Sequence, residues 1–233
     1  MIKFSILQSL ALKIVNVEYI IMDKNPKKIL RVVKILNKKY KIKPGREKPF
    51  KVLIGTILSQ RTKDESTEKA SDQLFRKYKN PVHLSKAPLK SIESLIKPSG
   101  FYKTKARRIK EISRILVEKY KGKVPQDFDG LMRLPGVGRK TANIVLVFAY
   151  GIPAIPVDTH VHRISNRLGL VKTKTPEQTE FALVKIIPRK HWLDFNGLFV
   201  KFGQQTCQPR KPLCWKCPVA RECDYPNKNL KMK

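Results

Sequence analysis

The sequence predicts an all-α protein, and three observations carry that expectation. Apolar residues recur three and four apart in one segment after another, strand-like alternation is nowhere sustained, and Pro and Gly mark short breaks between the segments. With 233 residues, 41% of them apolar, the chain can bury one large core or two smaller ones.

Residues 1–21 are fairly apolar but are interrupted by Lys3, Lys13, Asn16 and Glu18 and lack a small-residue cleavage site. They read as an N-terminal extension rather than a signal peptide. Met22 opens a more regular basic amphipathic helix, MDKNPKKILRVVKILNKKY, and offers an alternative translation start. Helical stretches follow over Pro49 to Ser59, Ser66 to Tyr78 and Leu89 to Ile96, with Asp64 as a candidate cap for the second. In KARRIKEISRILVEKYKG, Ile109, Ile112 and Leu116 share one face, and Gly122 is placed to stop the helix. A short helix through Leu131 and Met132 meets LPGVG, and a second runs from Arg139 to Tyr150 with Ile144, Val145 and Val147 turned inward. Asp158 precedes THVHRISNRL as an N-cap candidate, and Thr175-Pro176-Glu177-Gln178 reads as a capping-box helix start. Residues 226–233, ending KNLKMK, are expected to be frayed.

Charge is the first functional clue. Fifty Lys and Arg against eighteen Asp and Glu leave a formal +32, which favours a polyanionic partner held through phosphates. A ribosomal or chromatin-like protein would need no more than this. No run approaches the roughly 20 apolar residues of a membrane helix. All four cysteines fall between Cys207 and Cys223, spaced Cys207-x6-Cys214-x2-Cys217-x5-Cys223. A chain of this size needs no disulfide staples, so the clustering points to a metal site. Four thiolates could hold zinc or a four-iron cluster, and their chemistry alone does not choose.

The most informative stretch is LMRLPGVGRKTANIVLVFAYG. Pro135 and two glycines make a tight turn with uncovered amides, and with the start of the following helix they form an anion site. Lys140 stands in the first turn of that helix, facing its positive end and next to Arg139, which should lower its pKa; a partly neutral amine can attack a carbon electrophile. A lysine that merely binds phosphate is the simpler reading of the residue alone. His160 and His162 resemble a metal pair, but a spacing of two puts them on different helix faces.

LPGVGRKTA resembles the helix-hairpin-helix of the endonuclease III superfamily of DNA glycosylases. The resemblance extends through VDTHVHRISNRLGL and the cysteine cluster and back to ILSQRTKD and SGFYKTKA, covering roughly residues 25 to 225. It implies a six-helix barrel domain over 44–150, with the hairpin at 125–150. Beside it would stand an iron–sulfur cluster domain over 151–225, joined by the N-terminal helix of 22–43, with the active-site cleft between the two. It implies Lys140 as the nucleophile and Asp158 as the catalytic carboxylate. Gly136, Gly138 and Arg139 would contact DNA at the hairpin, and Cys207, Cys214, Cys217 and Cys223 would be ligands of a [4Fe–4S] cluster. Phe101 takes the family's intercalating apolar position, where leucine is common. Arg61 stands where a gap-filling glutamine is often found, with Gln60 next to it, so either can fill the gap.

The implied activity is a monomeric, intracellular, DNA-associated glycosylase and abasic-site lyase that acts on damaged duplex DNA, with oxidised pyrimidines as the default substrate. A lysine at position 140 separates this from relatives that only hydrolyse the base. The competing expectations are a non-enzymatic helix-hairpin-helix DNA-binding protein and a monofunctional mismatch glycosylase.

Overall fold

The computed structural model describes residues 26–42 and 46–231, so the extension expected over 1–21 and a helix start at Met22 lie outside the described residues. Helix α1 spans Pro26–Tyr40 and α2 spans Pro49–Ser59, the latter with proline in its first turn, where a missing N–H costs nothing. Helix α3 (Asp64–Lys77) starts two residues before the Ser66 expected from the apolar pattern. Asp64 is therefore not its cap: Lys63 holds that position, and Asp64 and Glu65 occupy the first turn, where acidic side chains suit the positive helix end. The Asp64 carboxylate instead accepts from Gln204 Nε2 at 3.1 Å.

Helices α4 (Pro81–Lys86) and α5 (Leu89–Leu95) are short; Asn80 caps the first by accepting from the His83 amide at 2.9 Å. Helix α6 (Tyr102–Tyr120) buries Ile109, Ile112 and Leu116 completely, as their spacing requires. It ends with Lys121 and Gly122 at positive φ and the Gly122 amide donating to the Leu116 carbonyl at 2.8 Å, a Schellman-type stop. Helices α7 (Phe128–Met132) and α8 (Arg139–Val145) flank the glycine turn. The single helix expected as far as Tyr150 changes at Leu146 to a π-turn, Leu146–Tyr150. Periodicity could not signal this change, because nearly every position there is apolar. Helices α9 (Thr159–Arg167), α10 (Pro176–Ile186) and α11 (Trp192–Gln205) follow. The capping box forms, with the Gln178 amide donating to Thr175 Oγ1 at 3.2 Å and the Thr175 amide donating to Gln178 Oε1 at 3.3 Å.

The described residues pack around two apolar cores. One draws on residues 50 to 154, from α2 to the π-turn, with Leu53, Ile57, Leu74, Ile112 and Val145 inaccessible to solvent. The other joins α1 to residues 155–219, and in it Val32 and Leu36 are buried with Phe195, Phe199 and Phe202. Phe195 and Phe199 stack at 4.1 Å between centroids. Each such side chain contributes about 1.5–3 kcal/mol when removed from water, so the pairing of the first helix with the last ones is strongly specified. Ion pairs at its margin, Arg31 with Glu222 and Lys28 with Asp224, both at 2.9 Å, reinforce it.

Candidate active site

The hairpin is assembled locally. Asp127 caps α7 by accepting from the Gly130 amide at 2.7 Å, and Leu134 and Val137 anchor the turn in the first core. Gly136 adopts φ 74°, a backbone conformation that favours glycine, and a Cβ there would lie 2.8 Å from Cδ of the flexible Arg108 side chain, which would have to shift. Gly138 precedes α8 in extended conformation, with nothing within 4 Å of a Cβ built on it. Both glycines are exposed, leaving the turn open to a ligand, and the first-turn amides of α8 have no helical carbonyl to bond.

Lys140 is half-buried in the first turn of α8. Its neighbour Arg139 is not the bare cation that the sequence led us to expect. The Arg139 guanidinium lies over the rings of Phe128 (4.8 Å) and Phe181 (4.7 Å). It donates to both carboxylate oxygens of Glu180, at 2.7 and 3.2 Å. It therefore fastens the hairpin helix to α10. Glu180 went unnoticed in the sequence because it stands 41 residues away and no local spacing links the two.

Asp158 caps α9, and one oxygen, Oδ1, accepts from the amides of both His160 and Val161 at 2.9 Å. The cap thus uses a single oxygen and leaves Oδ2 outside it. His160 Nδ1 contacts Arg163 and His162 Nδ1 contacts Thr179 Oγ1 at 2.6 Å, so the two rings serve different partners. Burial lowers the pKa of both below the usual histidine value.

Gln60 and Arg61, indistinguishable as neighbours in sequence, do different things. Gln60 Nε2 donates to the Gly136 carbonyl at 3.1 Å and so braces the hairpin. Arg61 is exposed, adopts φ 50° and lies with its guanidinium 5.9 Å from the ring centroid of Phe101. Phe101 is itself 65% exposed at φ 58°. Two adjacent non-glycine residues in the left-handed region, each costing about 1–2 kcal/mol, mark a projection that the surrounding structure maintains.

All four cysteines line one cavity with Arg167, Phe202 and Tyr225. Arg167 Nη1 approaches Cys207 Sγ at 3.5 Å, and Lys228 donates to the Cys223 carbonyl at 2.8 Å, tying the start of the C-terminal tail to this loop. Burial pushes the Cys217 thiol up to about 11 and raises Cys223 as well, so thiolates here require a compensating cationic group. Among the described residues no three His, Cys, Asp or Glu converge as ligands of a single ion. A sulfur-only donor set spread around one cavity suits a group of several atoms.

Two short helices joined by an exposed glycine turn, set in an all-helical fold, define a helix-hairpin-helix protein. The sequence model described as HhH-GPD superfamily base excision DNA repair protein matches residues 54–189. The chain belongs to that superfamily and, within it, to the endonuclease III family. It is 58% identical over 177 residues to Endonuclease III of Thermotoga maritima, covering 76% of this chain and 83% of the relative. Endonuclease III of Escherichia coli K12 is 39% identical over 180 residues, covering 77% and 85%. The fold is similar to that of a trapped endonuclease III–DNA covalent intermediate, with TM-score 0.81, 37% identity and coverage of 87% of this chain and 97% of that one. A thermostable thymine-DNA glycosylase matches with TM-score 0.77 and 30% identity, over 89% and 100%.

The Arg139–Glu180 contact makes a direct prediction. Glu180→Ala removes both hydrogen bonds to the Arg139 guanidinium, which keeps only Glu177 Oε1 at 3.7 Å, and should lower stability to denaturant by about 1.5–3 kcal/mol. The Arg139→Ala/Glu180→Ala double variant should lose less than the sum of the single losses. Additive losses would mean that the two residues do not act as a pair.

Proposed function

We propose that this protein is a bifunctional DNA glycosylase and abasic-site lyase of base excision repair, acting on duplex DNA that carries an oxidised pyrimidine or an abasic site. One observation carries the reading: an amine, Lys140, stands in the first turn of the hairpin helix of an endonuclease III-family chain. That an endonuclease III of this fold has been trapped as a covalent intermediate with DNA supports a nucleophile at this place.

The open amides around Gly136 and Gly138 and the positive end of α8 would grip a backbone phosphate. The damaged nucleotide leaves the stack, and Phe101 and Arg61 fill the gap it vacates. Gln60 is engaged with the hairpin, which favours Arg61 as the gap filler. Lys140 Nζ, as the free amine, bonds to C1′ of the damaged nucleotide while the glycosidic bond breaks and the base departs with the electron pair. Asp158 stabilises the positive charge developing at C1′ and takes a proton from the amine. The C1′–O4′ bond then breaks, O4′ leaving as the protonated hydroxyl of the opened sugar, and the resulting Schiff base allows loss of a C2′ proton; the 3′ phosphate leaves by β-elimination, and hydrolysis frees the lysine. Arg139, held by Glu180, acts in this scheme by positioning α8.

In this reading residues 44–150 form the six-helix barrel, and residues 22–43 join 151–225 in the unit that carries the cysteine loop 207–223. The protein works as a monomer on the DNA of the cell; among the described residues no helix is long and apolar enough to cross a membrane. Cys207, Cys214, Cys217 and Cys223 would hold a [4Fe–4S] cluster. When bound it supplies a cross-link that stabilises the loop bearing Arg210, Lys211 and Lys216, and no step of base excision passes through it. The fold similarity to a thymine-DNA glycosylase supports a second reading, base release without strand cleavage.

Borohydride trapping on abasic duplex DNA decides between these readings. Lys140→Gln should bind the duplex but yield no covalent complex; trapping and nicking at the wild-type rate would refute the nucleophile assignment. Asp158→Asn keeps an oxygen for the α9 cap and removes only the charge. Excision should therefore fall by about 10²–10⁴-fold, the range for a lost acid–base group, while the melting temperature stays close to that of wild type. Excision at the wild-type rate in this variant would leave Asp158 as a cap and nothing more.

Purified protein should be brown, with about four irons and four sulfides per chain. Cys214→Ala should lose the colour and much of its solubility, because a ligated group stabilises only the folded form. Colourless wild-type protein carrying one zinc would overturn the cluster and leave the Lys140 chemistry standing.

A further inference from the structure

Arg61 and Phe101 sit on separate loops, between α2 and α3 and between α5 and α6, yet they stand side by side in strained conformations. A single buried group joins the loops. Lys105, 3% exposed and one turn into α6, places Nζ 2.7 Å from the Leu58 carbonyl and 2.6 Å from the Gln60 carbonyl. The same nitrogen lies 2.8 Å from Thr62 Oγ1 and 2.9 Å from Ser99 Oγ. It thus holds the residues on either side of Arg61 and the turn just before Phe101. Thr62 Oγ1 also accepts from the Gly100 amide at 3.1 Å, and Ser99 Oγ donates to the Leu58 carbonyl at 2.9 Å. A Cβ on Gly100 would lie 2.9 Å from the Arg61 carbonyl oxygen, so the two loops abut there.

None of the four acceptors is a carboxylate. Burial lowers the Lys105 pKa to about 8, which leaves the ammonium protonated at neutral pH. An ammonium buried among neutral acceptors is a costly way to fill a core, where an apolar side chain of similar volume would serve. At 3% exposure it cannot reach a phosphate. The cost is consistent with a demand for donors that point both ways at once.

We propose that Lys105 is a positioning residue that holds Arg61 and Phe101 together as one preformed projection for insertion into the opened duplex. The inference rests on the reading of those two side chains as the pair that enters DNA. A projection fixed in advance loses less conformational freedom on binding, so the effect belongs to duplex opening and not to the chemistry at Lys140.

The test uses full-length protein and a duplex with 2-aminopurine beside a tetrahydrofuran abasic analogue, whose fluorescence rises as the neighbouring base unstacks. Lys105→Met and Phe101→Ala should each suppress the rise. The double variant should be no worse than Phe101→Ala alone, because both act through the same projection. The ratio of borohydride trapping on duplex to that on single-stranded abasic DNA should fall about tenfold in Lys105→Met, the scale of one coupled contact. General misfolding would lower both arms of that ratio. If Phe101→Ala keeps the wild-type fluorescence, the pair does not enter DNA and the underlying reading fails. If Phe101→Ala loses it but Lys105→Met does not, or if the two losses add, the positioning role is overturned. Should Lys105→Met fail to fold, Thr62→Val removes one acceptor and the Gly100 contact at a half-buried position, and the same cycle with Phe101→Ala is read in the same way.

Discussion

The burial of α1 against α11 is the constraint on which the rest of the arrangement depends. Val32 and Leu36 are inaccessible to solvent in a core built with Phe195, Phe199 and Phe202, more than 150 residues away in sequence. The chain must therefore leave that core after Tyr40, build the other from residues 50 to 154, and return. The return is short: α8 and its π-turn end at Tyr150, and Asp158 caps α9, with which the chain re-enters that core. Lys140 and Asp158 are thereby carried on two consecutive helices that belong to different cores.

The scarcity of acidic side chains sharpens their structural use. Only eighteen carboxylate residues face fifty Lys and Arg, and several of them join distant segments. Glu180 holds Arg139, Glu222 holds Arg31, Asp224 holds Lys28, and Asp64 accepts from Gln204. A neutral or acidic protein could place such pairs anywhere on its surface. Here the pairs concentrate where one core meets the other or where α1 meets the cysteine loop, while the remaining cations give the surface its affinity for a polyanion. Arg139 shows the division most clearly: a cation next to the proposed nucleophile is paired with a carboxylate and lies against two rings, so that it fixes α8 in place.

Rigidity is distributed in the same spirit. Gly136 is favoured by its φ, whereas Gly138 keeps open the space before α8. Gln60 locks onto the hairpin carbonyl, and the adjacent Arg61 is released to the surface in a left-handed conformation. One peptide unit thus separates a brace from a projection. The exposed aromatic beside it owes its place to contacts made by buried polar groups underneath, an arrangement in which solvent-facing residues are held by hydrogen bonds shielded from water.

By itself the sequence determined the helical class, the bounds of α2, α3 and α5 to within a residue or two, the capping box at Thr175 and the glycine hairpin. These are written in local spacing, cap residues and φ preferences, which act over a few residues. The cysteine spacing likewise announced a shared site. Only the tertiary structure decided that Arg139 belongs to Glu180, that Gln60 rather than Arg61 is tied to the hairpin, that Asp64 lies within a helix and not before it, and that Lys105 joins two loops. Each of these is a choice of hydrogen-bond partner between segments from six to 140 residues apart. Donors as general as lysine, arginine and glutamine carry no local mark of the acceptor they will meet. That choice is made only when the two cores pack and burial leaves each polar group one place to go.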